Sequence, residues 1–409
     1  MAENKPLAGR VRIALFTSQF PGKVSTFFAR DVNALLAEGF KVDIFPIYPI
    51  QEACWQYVPE TLRETIRVNS QVLYFPPFPF SKIPSSVRED VLQILKHSIK
   101  FGVPQPIKSF YVVQQGIKWA EKFNGQYDYL LAYWGNYAAT YAYVAQKTLN
   151  RHVPFSFFLH AGTDLYRDQI FLEQKIQASS AVFTVCEFNK KFLRSLYPQS
   201  FSSFEEKLWV YHLGIDLEGF PFLPEGRKSN TILAVGSLYP VKGFHLLLHA
   251  FAKASSNLPD MRLVIVGDGP QKIHLQYLIR RLKLEDKVVL TGHLPFELVK
   301  EHMIKSTILV HPSLGLGDAV PTVIKEALAL GLPVIGSDIA GIPELLDRGR
   351  CGVLVPSGDV QKLSRAIVEL MANDTKRKLL ANAGREWAQQ RFDVKKNISI
   401  LSDVILRTL

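Results

Sequence analysis

The sequence predicts an α/β protein with two domains, each built around a sheet of parallel strands. The chain has 409 residues, which is too long for one ordinary hydrophobic core. Short apolar runs typical of buried strands alternate along it with longer segments that have helical spacing. A polar stretch, PEGRKSN at residues 224–230, interrupts this alternation near the middle and is predicted to be the linker between the domains.

Composition places the chain among globular proteins of a reducing compartment. Apolar residues make up 47% of it and charged residues 21%, and no segment has low complexity. The three cysteines, Cys54, Cys186 and Cys351, are scattered and odd in number, which argues against a disulfide framework. No cysteine–histidine cluster has the spacing of zinc ligands, and no Asp-x-Asp pair is present. We therefore expect no metal site and no cofactor.

Hydropathy does not predict a membrane-spanning segment. The N-terminus, MAENKPLAGRVRIALF, has too short an apolar run for a signal peptide. The most apolar stretch, residues 129–145, is interrupted by Gly135, Asn136 and Thr140. The expectation is a cytoplasmic protein that is soluble or peripheral to the inner face of the membrane.

The net charge of +11 is divided almost evenly between the two halves of the chain. A nucleic-acid-binding protein is expected to concentrate its basic residues in a stripe within a recognisable module, so a nucleic-acid partner is not predicted. A dispersed positive charge is compatible with an anionic nucleotide ligand, with an anionic membrane surface, or with an ordinary basic protein.

The N-terminal half begins with a strand, a loop and a helix. The strand VRIALFT (11–17) is followed by the loop SQFPGKVSTFF, a helix over 29–39 and a second strand, KVDIFPI. In open α/β sheets, loops at the carboxyl ends of strands bind ligands. Gly22 and Lys23 in this loop are candidates for phosphate contacts, although an ordinary surface turn explains them equally well.

Residues 79–125 are predicted to be rich in helix and carry seven basic residues against three acidic ones. Apolar residues such as Ile94, Ile99 and Phe110 are interspersed among them. This pattern is compatible with a surface that contacts a membrane or a lipid-linked acceptor. A solvated helix face is the alternative, and it is the commoner explanation of such a charge run.

A histidine follows another predicted strand in this half. The run VPFSFFLH places His160 at the carboxyl end of this strand, with Asp164 in the following loop. That position favours a functional role, although a histidine after an apolar strand is often structural. The next segment, SSAVFTVCEFNKKFL, predicts a strand and a helix capped by Glu187 and Asn189.

In the C-terminal half, residues 311–346 carry the strongest functional pattern. A glycine-containing loop with Asp318 precedes Pro321, which is predicted at the first position of a helix, TVIKEALAL. Gly331 ends this helix and the strand PVIGS follows. The first turn of a helix has unpaired N–H groups and the positive end of the helix dipole, which suit a phosphate.

Two carboxylates flank this helix start. Asp318 precedes it and Glu326 lies within the helix. Carboxylates are good acceptors for sugar hydroxyl groups, so a nucleotide-sugar, with its diphosphate between two polyols, fits the arrangement. A solvated loop aspartate and a surface glutamate are the alternative explanation. Lys242, which precedes another predicted helix, would add a positive charge for the same diphosphate.

These motifs resemble those of the retaining glycosyltransferases of family 4, which have the GT-B fold. The family has Glu, seven residues, Glu and then A-x-A-x-G-x-P-V; here Asp318, Glu326 and ALALGLPV occupy that pattern, and AGIPELL follows. Similar elements are F-P with T-F near residue 20, HAGTDLY after His160, the G-I-D turn at 214–216, and Lys242-Gly243. Ser237 stands where the family has an arginine.

The resemblance implies two Rossmann-like domains that face each other across a cleft. The acceptor domain would span residues 1–215 and the donor domain residues 225–385, with residues 386–409 crossing back as a helix onto the first domain. It also implies a role for each matching residue: Glu326 would bind the ribose, Asp318 the donor sugar and Lys242 the diphosphate. The remaining implied donor contacts are Ser237, Gly292, His293, Leu294, Ala319, Val320, Pro321 and Thr322.

The implied reaction is metal-independent transfer of a sugar, with retention of configuration, from a nucleotide-sugar to a glycan or lipid-linked acceptor. His160 would position the reacting sugar. Exopolysaccharide or lipid-linked glycans are the implied products. Two alternatives stay open: a nucleotide-sugar epimerase or phosphorylase of the same fold, and a non-catalytic nucleotide-sugar-binding subunit of a polysaccharide assembly complex. The second rests on Ser237, because a hydroxyl cannot replace a guanidinium on a diphosphate.

Overall fold

The computed structural model of the protein describes residues 8–21, 26–49, 51–58, 60–71, 73–162, 164–167, 169–227 and 229–409. The chain forms two compact units. Unit 1 contains the chain up to Gly214 together with Val394–Leu409, and unit 2 is Ile215–Asp393. Each unit is an α/β structure with its own sheet, which confirms the predicted fold class.

Unit 1 has a six-stranded parallel sheet in the order β2–β1–β3–β4–β5–β6. Every residue of β3, β4 and β5 is buried, because helices cover both faces of a parallel sheet, and these strands accordingly appear as continuous apolar runs. The strand order reverses direction between β1 and β3. The strands are β1 (Arg12–Thr17), β2 (Lys41–Pro46), β3 (Tyr129–Ala132), β4 (Phe155–Leu159), β5 (Ala181–Thr184) and β6 (Leu208–Val210).

Aromatic side chains dominate the core of unit 1. The Trp119 ring lies 5.0 Å from that of Phe16, 5.4 Å from that of Phe45 and 5.3 Å from that of Phe123. Trp119 belongs to the second of two long helices within residues 79–125, which confirms the helix-rich prediction there. The helices are α1 (Thr26–Ala37), α2 (Glu60–Val68), α3 (Ser85–Ile99), α4 (Pro104–Phe123), α5 (Tyr137–Thr148), α6 (Leu172–Ala178), α7 (Glu187–Leu196) and α8 (Phe201–Phe204).

Unit 2 has a second six-stranded parallel sheet, in the order β12–β11–β10–β7–β8–β9. Numbered within the unit, this is the doubly wound order 3-2-1-4-5-6, and its direction reverses between β7 and β10. The strands are β7 (Thr231–Val235), β8 (Arg262–Val266), β9 (Val288–Gly292), β10 (Ile308–His311), β11 (Val334–Asp338) and β12 (Val353–Pro356). The helices are α9 (Phe244–Ser255), α10 (Lys272–Arg281), α11 (Phe296–Lys305), α12 (Thr322–Leu330), α13 (Ile342–Leu345), α14 (Val360–Ala372) and α15 (Asp374–Arg391).

The last helix of the chain, α16 (Val394–Thr408), belongs to unit 1. It contacts α1, and Asn397 Nδ2 donates to the His212 carbonyl at 2.6 Å. A side chain at Gly214 would come within 2.3 Å of the Val394 Cα, so the chain crosses here through a contact that only glycine permits. The predicted single helical segment over 386–409 is instead two helices, which are separated at Phe392 and Asp393.

The predicted linker over 224–230 is tied to unit 2 by a buried arginine. Arg227 is 6% exposed, and its guanidinium donates to the carbonyls of Met303 (2.9 Å), Ser306 (2.8 Å) and Leu330 (3.0 Å). Burial lowers the pKa of Arg227 to about 10. The linker prediction was wrong at this position because polarity in the sequence does not distinguish a solvated side chain from one satisfied by carbonyls.

Two local predictions about helix starts were also wrong. Pro321 is the N-cap of α12 with ψ 121°, so the helix begins one residue later, at Thr322. The N-cap of α7 is Cys186, without a side-chain capping bond, and Asn189 instead donates from Nδ2 to the His160 carbonyl at 2.7 Å. No helix in the described part of the chain is both long enough and apolar enough to cross a membrane.

Candidate active site

The charged side chains of unit 2 gather where its strand order reverses. β7 and β10 are hydrogen-bonded neighbours, and the loops after them carry Lys242 and Asp318, respectively. His311 is the last residue of β10. In open α/β sheets the reversal leaves a crevice at the carboxyl ends of the strands, where ligands bind. Lys242, His311 and Asp318 therefore lie at the edge of this sheet where a ligand is expected to bind.

Asp318 is held between two cationic or proton-donating side chains. Its Oδ1 accepts from Lys242 Nζ at 2.5 Å, and its Oδ2 is 2.6 Å from His311 Nε2. Asp318 is 8% exposed and His311 is 1% exposed. The alternative of a solvated loop aspartate is therefore wrong, because this carboxylate is buried and paired on both oxygens.

The pKa of Asp318 shows which effect dominates. Burial on its own raises the pKa of this carboxyl, because it disfavours the charged form. The charges and hydrogen bonds of His311 and Lys242 outweigh burial and lower the pKa well below the usual range. Asp318 is therefore an anion at neutral pH.

Close backbone contacts hold the two loops together. Leu314 N–H donates to the Val241 carbonyl at 2.7 Å, which joins the loop after β10 to the loop after β7. Gly243 has φ +68°, and a Cβ there would lie 2.0 Å from the Pro312 carbonyl oxygen. Only glycine fits such an approach, so the Lys242-Gly243 pair brings the lysine beside the other loop.

Helix α12 starts at Thr322, four residues after Asp318. Ala319 and Pro321 are buried, whereas Val320 and Thr322 are partly exposed. An α-helix leaves the N–H groups of its first turn without carbonyl partners within the helix, and its dipole is positive at that end. Glu326 lies just over one turn into α12 and is 6% exposed, so the alternative of a surface glutamate is also wrong.

The other predicted donor residues of unit 2 lie at the same edge of the sheet. Ser237 follows β7 and is exposed. Gly292 ends β9 with φ +77°, and its carbonyl accepts from Gly267 N–H at 2.9 Å. His293 is exposed and Leu294 is partly buried. Gly22 and Lys23, predicted for the N-terminal loop, lie outside the described residues.

In unit 1, His160 directly follows β4 and is surrounded by aromatic rings. Its ring centroid is 4.4 Å from that of Trp134, 5.2 Å from Tyr133, and 5.7 Å from both Phe27 and Phe158. The residue is 7% exposed, and neither ring nitrogen makes a hydrogen bond within the described residues. These rings fix the plane of the imidazole without using its polar atoms.

Asp164 organises the loop after His160. Its Oδ2 accepts from the His160 backbone N–H and its Oδ1 from that of Ala161, each at 3.0 Å. The same Oδ2 is 3.4 Å from His160 Nδ1. Asp164 therefore holds the backbone from which the His160 side chain extends.

A buried lysine lies next to this loop. Lys175 of α6 is 1% exposed, and its Nζ donates to the Gly135 carbonyl at 2.7 Å, the Asn136 carbonyl at 3.2 Å and Thr140 Oγ1 at 3.3 Å. Burial lowers its pKa to about 7, against the opposing charge of Asp164. Through these bonds the Lys175 side chain joins the loop after β3 to α6.

The sequence analysis missed His311 and Lys175. His311 could have been found from its position at the end of a predicted strand, which resembles the position of His160. Lys175 had none: it lies in the middle of a polar helical segment, and its burial follows from packing against residues 30 or more positions away. A sequence predicts which residues lie at strand ends, but it does not predict which distant residues a helix face will contact.

The family model described as glycosyl transferases group 1 matches residues 218–387, which is almost all of unit 2. The similarity to this family therefore lies in unit 2. The match includes Lys242, Asp318 and Glu326, which the sequence analysis had identified from the same motifs, and it confirms the resemblance found there.

Two curated relatives illustrate how far along the chain the similarity extends. It is 24% identical over 420 residues to the amylovoran biosynthesis glycosyltransferase AmsK of Erwinia amylovora, covering 97% of this chain and 100% of the relative. It is 38% identical over 159 residues to the exopolysaccharide phosphotransferase SCO2592 of Streptomyces coelicolor. That match covers 37% of this chain and 17% of the relative, so the chain spans less than a fifth of that protein's length.

Among solved structures, Anabaena Alr3699/HepE in complex with UDP has the same fold as this chain. The TM-score is 0.69 at 19% identity, over 98% of this chain and 100% of that one. At this identity the likeness concerns the fold alone. Together with the two parallel sheets, it identifies the fold of the chain as GT-B, as predicted.

Proposed function

We propose that the protein is a glycosyltransferase that moves a sugar from a nucleotide-sugar to a glycan or lipid-linked acceptor, with retention of configuration and without a metal ion. The observation that carries this proposal is the buried Asp318, paired with Lys242 and His311 at the strand-order reversal of unit 2. An anion kept ionised beside a helix N-terminus gives one place for sugar hydroxyls and, next to it, one for phosphate oxygens.

Each residue of this edge has a distinct part in the proposal. The N–H groups of Ala319, Val320 and Thr322 and the Lys242 ammonium stabilise the diphosphate as it leaves and gains charge. Asp318 accepts a hydroxyl of the donor sugar, since a carboxylate can accept about four hydrogen bonds and the structure uses two. Glu326 accepts the ribose hydroxyls, and the backbone of Gly292, His293 and Leu294 lies along the base.

The chemical step breaks the bond between the anomeric carbon and the diphosphate oxygen and forms one to the acceptor oxygen on the same face of the sugar. The proton of the acceptor hydroxyl passes to the departing diphosphate oxygen. His160 orients the reacting sugar from unit 1. No side chain is assigned as a nucleophile. A group that only orients substrate needs a fixed ring plane, and the aromatic neighbours of His160 supply one.

The names of relatives support the substrate class. AmsK is named for amylovoran biosynthesis and the Streptomyces protein for an exopolysaccharide, so we propose a polysaccharide or glycolipid product. HepE has been crystallised with UDP and with UDP-glucose, which makes UDP-sugars the first donors to test. We place the reaction at the cytoplasmic face of the membrane, in keeping with three buried, unbridged cysteines.

The first experiment is a thermal-shift comparison of UDP-, GDP- and ADP-sugars with the intact protein. A donor present at 100 times its dissociation constant stabilises the fold by about 2.7 kcal/mol. For a unit of this size that corresponds to a rise in Tm of roughly 5–10 °C. The Lys242→Gln variant should lose most of this rise, while Lys283→Gln, at an exposed position in unit 2, should keep it. Equal shifts in the two variants would contradict the assignment.

A non-catalytic nucleotide-sugar-binding subunit is the second candidate, and one observation favours it. Ser237 is exposed at the end of β7, and its hydroxyl cannot form the paired charge-assisted bonds that a guanidinium forms with a diphosphate. Donor binding without release of the nucleoside diphosphate, across a panel of glycan and lipid-linked acceptors, would favour this candidate. Release of an isomerised sugar without any acceptor would indicate an epimerase.

A further inference from the structure

The corner between α3 and α4 of unit 1 exposes three aliphatic side chains within nine residues. Ile99 is 66% exposed, Val103 82% and Ile107 70%. The chain turns here at Gly102, whose φ is +107°. The buried residues of α3, such as Val91 and Ile94, pack into the unit 1 core, so these three belong to the opposite, outward side. Close clusters of exposed aliphatic groups usually mark a binding surface.

Positive charge surrounds these side chains. Lys96, Lys100 and Lys108 are all exposed, and none of them forms an ion pair with a described residue. Residues 91–120 contain no aspartate or glutamate. The α3–α4 corner, meaning these three lysines together with Ile99, Val103 and Ile107, is therefore both apolar and strongly basic.

The partly buried His97 is affected by the same positive charges. The pKa of His97 is lowered by burial first, and then by the charges of Lys100 and Lys96. Glu173 is the carboxylate that faces this histidine, and it acts in the opposite direction without reversing the shift. The net potential at the corner is thus positive.

We propose that the α3–α4 corner docks the protein onto a membrane surface that contains anionic lipid. Aliphatic side chains enter the boundary between headgroups and acyl chains, while lysines around them meet lipid phosphates. A protein partner fits less well, because protein interfaces are depleted in lysine, and their strongest contacts come from tryptophan, tyrosine and arginine. This inference concerns where the protein acts and is independent of the donor site in unit 2.

The test is sedimentation of the full chain with vesicles of phosphatidylcholine that contain about 30% phosphatidylglycerol, compared with pure phosphatidylcholine. The wild type should bind the anionic vesicles and bind the neutral ones at least tenfold more weakly. Each Lys→Gln change at 96, 100 or 108 should weaken binding by about fivefold. The triple variant Ile99→Ser, Val103→Ser, Ile107→Ser should weaken it by at least tenfold.

Matched controls use exposed residues elsewhere. Ile273, Val289 and Leu379 of unit 2 are 78%, 56% and 65% exposed, so their triple change to serine removes a similar apolar area. Lys191, Lys253 and Lys283 are exposed and provide the charge control. Both control variants should bind as the wild type does. Equal binding by the corner and control variants, or no vesicle binding by the wild type, would overturn the proposal.

A second measurement places the corner in the bilayer. A fluorophore sensitive to polarity, attached at Val103→Cys, should shift to the blue with anionic vesicles, whereas one at Ile273→Cys should not. The native cysteines are all buried and so leave these positions selectively labelled. Self-association in the absence of lipid that disappears in the Ile99→Ser, Val103→Ser, Ile107→Ser variant would show a protein interface instead and would also overturn the proposal.

Discussion

Each of the two sheets has six parallel strands, but the sheets differ in strand order and carry different chemistry at their carboxyl ends. In unit 2 the reversal between β7 and β10 carries a buried carboxylate, a lysine and a histidine. In unit 1 the reversal between β1 and β3 carries a neutral pair, Ser18 Oγ donating to Asn136 Oδ1 at 3.3 Å. One fold thus provides two sites, and the side chains on its loops decide the function of each.

The two histidines show this difference most clearly. His311 uses Nε2 on Asp318, so its role is electrostatic. His160 lies within 6 Å of four aromatic rings, and its nitrogens have no hydrogen-bond partner in the described residues, so packing fixes its position. A leaving diphosphate needs compensating charge, whereas a sugar to be oriented needs a rigid surface. The contrast agrees with a donor site in unit 2 and a substrate-orienting residue in unit 1.

The largest expected effect comes from neutralising the carboxylate of unit 2. Asp318→Asn removes the charge that pairs with Lys242 and His311 and should lower turnover about 100- to 1,000-fold, the range seen for a lost transition-state interaction. Steady-state kinetics with the best donor measure it. Asp260→Asn, at an exposed carboxylate in the same unit, is the control. Turnover within a factor of about three of the wild type would remove Asp318 from the site.

The parts of this site that the sequence predicted are those set by local pattern. Strands β7 and β10 and helix α12 were found because apolar runs, Gly331 and the acid spacing are local features. The pairing of Lys242 with Asp318 joins residues 76 positions apart and depends on Gly243 contacting Pro312, which no local pattern contains. Arg227 and Lys175 were missed for the same reason, since carbonyls from distant segments satisfy their charges.

The second prediction tests Lys175, the buried lysine of unit 1. Between pH 7 and the ordinary lysine pKa, the unfolded chain holds a proton on Lys175 that the folded chain has lost. The unfolded state therefore binds more protons there, and the free energy of unfolding should rise with pH by up to roughly 1.4 kcal/mol per unit.

The measurement is urea unfolding at several values between pH 7 and pH 10, for the wild type and for Lys175→Met. The difference between the two proteins should change with pH in the stated direction, because all other groups titrate equally in both. Lys191→Met, at an exposed lysine of unit 1, should show no such change. A constant difference would mean that Lys175 stays protonated in the folded protein.

The third prediction compares the histidines directly. His160→Phe should keep Tm within about 2 °C, since an aromatic ring replaces another among aromatic neighbours, and lower kcat by roughly 10-fold or more. His311→Phe leaves Asp318 Oδ2 buried without its partner and should cost about 1–3 kcal/mol of stability. Thermal melts and kinetics of both variants provide the comparison. A larger loss of stability at His160 than at His311 would reverse the roles assigned to the two residues.

The smallest expected effect concerns Ser237, which stands where the family motif has an arginine. An arginine there would extend from the end of β7, the strand that leads to Lys242, and add a guanidinium able to make two bonds to a diphosphate. Because the gain applies to bound donor and transition state alike, KM for the donor should fall roughly 3- to 10-fold while kcat changes little. Ser237→Lys, with a point charge in place of a planar fork, should give a smaller gain. If neither variant binds donor more tightly, position 237 does not reach the diphosphate, and the positive charge there comes from Lys242 and the helix start alone.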